Sequence, residues 1–253
     1  IVPSTKKAAQ YQNLGATVAN KKDIFDQIKK LKKGEFENVV VINNRYDGID
    51  LPDESCRVLI IDSMPYFEDL SDRYEERCRP NSEVINKKLA QKIEQGIGRG
   101  VRGEKDYCAL LIIGADIIKF MRSVATNKYF SAQTKKQIEL GLSIAEMARE
   151  DQEENVEPIK IVVSLIKQSL NRDEGWKAYY TSEMDGIKEI PIDKTIYEKL
   201  SLERKIEQLY YNGEVIKACD AMQNFIDESC DDPLEKGWYL QQLARYTYIY
   251  QKA

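Results

Sequence analysis

Gln95, Gly98, Arg99 and Arg102 form the pattern Q-x-x-G-R-x-x-R within the stretch EQGIGRGVRGE, Glu94 to Glu104. Arginine presents a planar fork of N–H donors that matches anionic oxygens in pairs. Two arginines three positions apart project from one face of a helical turn. Glycines beside them let backbone amides approach the same anion. The chemistry expected of this pattern is the binding of phosphate oxygens. Gly96, Gly98 and Gly100 each cost a helix about 1 kcal/mol relative to alanine, so the segment is expected to serve something other than helix formation. A solvated basic turn is the plainer account of the same residues.

The second candidate spans residues 39–62, VVVINNRYDGIDLPDESCRVLIID. A buried strand runs into a polar loop holding Asp47-Gly48-Ile49-Asp50, then a proline, then another buried strand. Asp50 follows a glycine turn and is placed to accept hydrogen bonds from hydroxyls such as those of a ribose. Asp and Gly are also the residues expected in an ordinary turn between strands.

The elements that must position these residues alternate. Ile1-Val2, Val39 to Ile42, Val58 to Ile61 and Tyr107 to Ile113 are short apolar runs, suited to buried parallel strands covered on both faces. Lys6 to Lys33 predicts two helices broken near Gly15, and Val84 to Glu94 predicts another. This order gives an open α/β sheet with helices on both faces. Its strand DYCALLIIG follows Arg102 closely, which puts the arginines at a sheet edge, where ligands of such folds bind. Beyond about residue 115 only helical patterns remain: Ser131 to Arg149 with Ile138, Leu142, Ala145 and Met147 as apolar positions, Ile159 to Lys177, and three helices from Asp193 onward broken near Gly213 and Pro233. Leu209 to Phe225 has the rhythm of a helical hairpin. The domain division read from this is 1–125 and 126–253, the second all-α. Its final YLQQLARYTYIYQKA is apolar enough to expect a packing partner, so a protein partner is expected for the helical region.

Composition narrows the chemistry. Among 253 residues there is no histidine, so Ser-His-Asp and Cys-His nucleophile schemes are excluded. Five cysteines without a C-x-x-C pair argue against a zinc site and read as reduced thiols of a cytoplasmic protein. No metal site is expected from this chain's own residues. A net charge of -4 opposes indiscriminate coating of nucleic acid but allows a local basic groove. No apolar run approaches the roughly 18 residues of a membrane span. The lysines at 6, 7, 21, 22, 29, 30, 32 and 33 read as the solvated faces of amphipathic helices. Residues 65–86 read as a solvated surface loop. The opening IVPS, without an initiator methionine, reads as a piece of something longer.

IVPS, NNRYDGIDLP and QGIGRGVR, in that order, resemble motifs IV, V and VI of superfamily 2 helicases. Gln95, Gly98, Arg99 and Arg102 fit motif VI at each defining position. Gly48-Ile49-Asp50 fits the end of motif V, and Pro3-Ser4 the close of motif IV. The resemblance covers roughly residues 1–125 and implies the second of two RecA-like domains. It implies that ATP and Mg2+ are bound mainly by a preceding RecA-like domain of the same polypeptide. Arg99 and Arg102 would contact the γ-phosphate, since an arginine finger contributes about 10³–10⁵ in rate. Gln95 would sense nucleotide. Asp50, beside Gly48, would lie near the ribose or couple ATP to nucleic acid. Ser4 would belong to the nucleic-acid track. Many members have Thr or Ser after the motif V strand to hold a nucleic-acid phosphate. Here Asn43, Asn44 or Arg45 would take over.

No G-x-x-x-x-G-K-[ST] occurs, and Asp53-Glu54-Ser55-Cys56 follows a proline rather than a buried strand, so it is not a magnesium box. The chain by itself is therefore expected not to hydrolyse ATP. The resemblance implies a helicase or translocase acting on nucleic acid, with DNA favoured by the RYDGIDLP form of motif V. The rival readings are a non-catalytic scaffold with a RecA-like shell, and the motor subunit of a restriction or defence complex that translocates without unwinding.

Overall fold

The structure, a computed structural model, describes residues 1–253 except 47, 52, 68, 81, 101–106, 151–156, 189–193 and 253, and except the side chains of Asp53 and Lys252. The elements in chain order are α1 (Thr5–Gln12), β1 (Thr17–Ala19), α2 (Ile24–Lys32), β2 (Val40–Ile42), β3 (Val58–Asp62), α3 (Leu70–Cys78), α4 (Glu83–Ile97) and β4 (Ala109–Ile113). Helices follow to the end: α5 (Ala115–Arg122), α6 (Val124–Asn127), α7 (Ala132–Glu150), α8 (Pro158–Leu170), α9 (Glu174–Asp185), α10 (Lys194–Tyr211), α11 (Val215–Ser229) and α12 (Pro233–Lys252). Contacts divide the chain into two compact units. One is Ile1–Tyr66 with Lys88–Ile190, the other Phe67–Lys87 with Pro191–Ala253.

The first unit is α/β, with two small parallel sheets. β1 pairs with β2 in the register Thr17↔Val40, and β3 pairs with β4 in the register Val58↔Ala109. Parallel neighbours need a crossover between them, which α2 supplies for the first pair. Residues 1 and 2 hydrogen-bond to both sheets. Val2 N–H donates to the Ile42 carbonyl at 3.0 Å, Asn44 N–H to Val2 at 2.7 Å, and Asp62 N–H to Ile1 at 3.0 Å. The short apolar start of the chain is thus a tie between β2 and β3. β1 was not expected. Thr17–Ala19 lacks an apolar run and exists only through its pairing with β2.

Burial is less even than the apolar runs suggest. Ile42, Leu59 and Ile61 are buried, but Val39, Val58, Leu110 and Ile113 are exposed. Among the described residues β4 is paired on one side only, and residues at strand ends meet solvent. α7 likewise buries Thr134 and Leu140, whereas Leu142 and Met147 are exposed. The helical pattern over 159–177 is broken at 171–173, where Arg172 has a φ of +53° and Asp173 starts α9 by accepting from Trp176 N–H.

The second unit contains the expected three helices, with the hairpin turn at Gly213, whose φ is +83°. Ile206, Ala218, Met222, Phe225, Ile226, Tyr239 and Tyr246 form its core, and the Tyr210 and Tyr246 rings stack at 4.2 Å. Residues 65–86 are not a solvated loop, because they carry α3 and the buried Arg79. Arg79 is 3% exposed. Its guanidinium donates twice to Glu75, once through Nε at 3.0 Å, and through Nη1 to the Tyr239 hydroxyl at 2.8 Å. Glu203 and Glu235 each approach the same Nη1 at 3.6 Å. Burial pushes the Glu203 carboxyl above the usual range, opposed by its hydrogen bond from Tyr239 and the charge of Arg79. A cation removed from water is tolerated only when its donors are filled, so Arg79 ties α3 to α10 and α12.

Arg79→Ala removes the cation that Glu75, Glu203 and Glu235 share, although Glu235 keeps Lys199 at 3.4 Å. We expect the unit to lose about 3–5 kcal/mol, the usual cost of breaking a buried pair from one side, in urea denaturation followed by tryptophan fluorescence. A loss below about 1 kcal/mol, as for an exposed pair, would contradict this account.

Candidate functional site

The arginine segment begins where α4 ends. Gly98 N–H donates to Glu94 at 2.9 Å and Arg99 N–H to Gly96 at 3.2 Å, so helical bonding continues to Arg99 and sets where it emerges. Arg99 is half-buried. Its Nε donates to the Tyr46 carbonyl at 2.8 Å and its Nη1 to the Ile49 carbonyl at 2.6 Å. The two sequence candidates are therefore one site: the arginine after α4 grips the loop after β2. Arg102 and Asp47 lie outside the described residues. Gln95, Gly48 and Asp50 are exposed and Gly98 is half-buried.

The glycines divide by the reason they are needed. Gly96 lies within α4, so the expectation that these glycines stand apart from a helix fails there. A Cβ on Gly96 would sit 2.7 Å from Cδ1 of the fully buried Tyr46 ring, and one on Gly100 2.7 Å from the Cys108 sulfur. At Gly98 the nearest atom would be at 3.5 Å, an ordinary contact. The helix accepts Gly96 because α4 and the loop pack closer than any side chain allows. Gly48, with a φ of +70°, is required by its backbone conformation.

The polar residues after β2 gather at one end of the paired strands. Asn43 bridges Val2, and its Nδ2 donates to the Thr5 hydroxyl at 3.0 Å. Asn44, with a φ of +46°, donates through Nδ2 to the Tyr66 carbonyl at 3.3 Å. Ser4 caps α1, its hydroxyl oxygen accepting from Lys7 N–H at 3.1 Å. Ser4, Asn43 and Asn44 are thus neighbours, while Arg45 is exposed. Among the described residues, the buried Asn43 Oδ1, Asn44 Oδ1 and Tyr46 hydroxyl find no hydrogen-bond partner. A buried polar atom left unpaired costs about 1–3 kcal/mol, so these three atoms, all on the stretch after β2, call for partners such as ordered water.

Asp62 was missed by sequence reasoning. It ends β3, is 4% exposed, and accepts from the Tyr11 hydroxyl at 2.6 Å and the Ser63 hydroxyl at 2.9 Å. Lys7 Nζ lies at 3.2 Å, so Lys7 is not merely part of a solvated face. Burial pushes the Asp62 carboxyl up, but the bonds from Tyr11, Ser63 and Lys7 outweigh it and hold the group below its usual range. The Tyr11 phenol is pushed up to about 12 by burial and by Asp62. The available signal was a charged residue closing an apolar strand.

The family described as the helicase C-terminal domain matches residues 2–137, more than half of the chain. No curated protein and no solved structure matches it. No helix among the described residues is long and apolar enough to cross a membrane.

Two outcomes follow from this geometry. Gly96→Ala gains about 1 kcal/mol of helix propensity but drives a methyl group into the Tyr46 ring, and overpacking costs about 1–3 kcal/mol. A net loss of stability in thermal melts is expected, and a gain would show that Tyr46 can move aside. The depressed Asp62 group stabilises the fold fully above its unfolded pKa of about 3.9, and this contribution fades as pH falls through the lower folded value. Urea titrations across acid pH are expected to give Asp62→Asn a flatter acid limb than the wild type. Parallel limbs would remove Asp62 from the account.

Proposed function

The chain belongs to the helicase C-terminal domain family, and from that premise we propose that it is the second motor domain of an ATP-dependent superfamily 2 helicase or translocase acting on DNA. Membership implies interaction with nucleic acid. ATP and Mg2+ would be held mainly by a preceding RecA-like domain. The observation that carries the reading is the hold of Arg99 on the carbonyls of Tyr46 and Ile49. It joins the segment suited to phosphate to the loop suited to nucleic acid.

In this reading Arg102 and Arg99 face the γ-phosphate as arginine fingers, with Gln95 and Asp50 at the nucleotide. The charge on the transferring phosphoryl group requires positioned cations. Arg99 would exchange or share its loop carbonyls as phosphate is bound and lost. Hydrogen bonds to charged groups contribute about 1.5–3 kcal/mol each, enough to shift the loop between two positions. That loop carries Asn43, Asn44 and Arg45, and with Ser4 it would track the nucleic-acid backbone. The Thr5 hydroxyl can donate as well as accept, so Asn43 can turn its NH2 group toward a phosphate oxygen. The partnerless Tyr46 hydroxyl supports a loop that rearranges during the cycle.

The test is nucleic-acid-stimulated ATPase of the full-length protein. Arg99→Ala is expected to lower kcat by about 10³–10⁵ with ATP binding retained, and single-stranded DNA is expected to stimulate the wild type more than RNA. Unchanged turnover in Arg99→Ala would overturn the finger role. A wild type without turnover on any nucleic acid would favour a scaffold.

A further inference from the structure

The turn between α8 and α9 lies beyond residues 2–137, and the reading above makes no use of it. Helix α8 closes at Asn171, and Arg172 after it has a φ of +53°. This place after a helix usually holds glycine, because a side chain is strained in left-handed backbone. The turn is hydrogen-bonded all the same. Arg172 N–H donates to Ser169 at 3.2 Å and Asp173 N–H to Gln168 at 3.3 Å. An arginine kept where glycine fits better needs a reason in its side chain. The Arg172 guanidinium lies over the Tyr107 ring, 4.7 Å from its centroid. Arg57, just before β3, lies over the same ring at 3.9 Å, and its Nη1 donates to the Tyr107 carbonyl at 3.1 Å. Both guanidiniums are within the distance of about 6 Å at which an aromatic face attracts a cation. Helix α8 packs on β4, and all three residues belong to the first unit.

Tyr107 is the fifth residue after Arg102. Arg99 is fixed on the carbonyls of Tyr46 and Ile49, so the chain is tied before Arg102 by Arg99 and after it by Tyr107. We propose that Arg57, Tyr107 and Arg172 form a clamp that positions the arginine segment for phosphoryl transfer, so that a turn of the helical extension helps to set the rate of the motor. This rests on the helicase reading. The three are positioning residues and act through Arg102. A segment tied at both ends has fewer conformations than one tied at a single end. Charge developing on a transferring phosphoryl group is stabilised best by donors already in place. A misplacement of about 1 Å can lower catalysis by about 10²-fold.

A purely structural role for Arg172 would show as lost stability. Glycine suits a φ of +53°, so Arg172→Gly removes the cation while relieving the backbone. Its melting temperature is expected to stay near that of the wild type.

The experiment uses the full-length protein and two readouts. In ATPase assays Arg172→Gly is expected to lower kcat by about 10- to 100-fold with KM for ATP unchanged, and Tyr107→Leu to do the same. In limited trypsin digestion, cleavage after Arg102 and Lys105, followed by mass, is expected to be faster in Arg172→Gly than in the wild type. Arg172→Lys keeps a cation for the ring and is expected to recover most of both readouts. Unchanged cleavage in Arg172→Gly overturns the clamp. Faster cleavage with unchanged kcat overturns its part in turnover, and a lowered melting temperature with unchanged kcat makes the contact structural and overturns the proposal. Cleavage requires no turnover, so a wild type lacking ATPase would overturn the helicase reading while the clamp is judged by trypsin.

Discussion

A single guanidinium resting on two backbone carbonyls organises the first unit. Arg99 spends two of its N–H groups on Tyr46 and Ile49, and that fixes the loop after β2 relative to the end of α4. Carbonyl oxygens cannot be removed by mutation of their own side chains, so the contact constrains the backbone course of the loop. The rest of the neighbourhood conforms to it. Tyr46 is fully buried, α4 passes close enough that Gly96 has no room for a methyl group, and the loop turns at Gly48 with a positive φ.

The same economy of space recurs one step along. Gly100 seats the Cys108 side chain as Gly96 seats Tyr46. Arg99 thus stands between two positions where glycine is demanded by packing. A glycine-rich stretch around an arginine invites an account based on flexibility. Here the glycines permit close approach, and close approach removes freedom from the backbone.

The second unit depends on a different charge. Arg79 gathers Glu75, Glu203, Glu235 and Tyr239 around one buried cation. Residues far apart in the chain become one unit because no member of that set can be left alone in a low-dielectric interior. The exposed Leu240, Tyr248, Ile249 and Tyr250 of α12 lie outside this cluster.

The sequence by itself determined the strands at β2, β3 and β4, the helical second half with its breaks at Gly213 and Pro233, and the resemblance to a helicase, which the match to the helicase C-terminal domain family over residues 2–137 bears out. These are local signals: apolar runs, turn residues, and side chains at fixed spacing. Only the tertiary structure decided that Arg99 holds the 46–49 loop, that Lys7 and Tyr11 serve the buried Asp62, that Gly96 and Gly100 are the sterically required glycines, and that residues 67–87 fold with the C-terminal helices. β1 belongs with these, since it forms only against β2. Each depends on which distant residue comes within a few ångströms, and spacing along the chain carries no record of that. Burial then converts proximity into energy, because a charge or polar atom removed from water must find its partner in space wherever the chain has placed it.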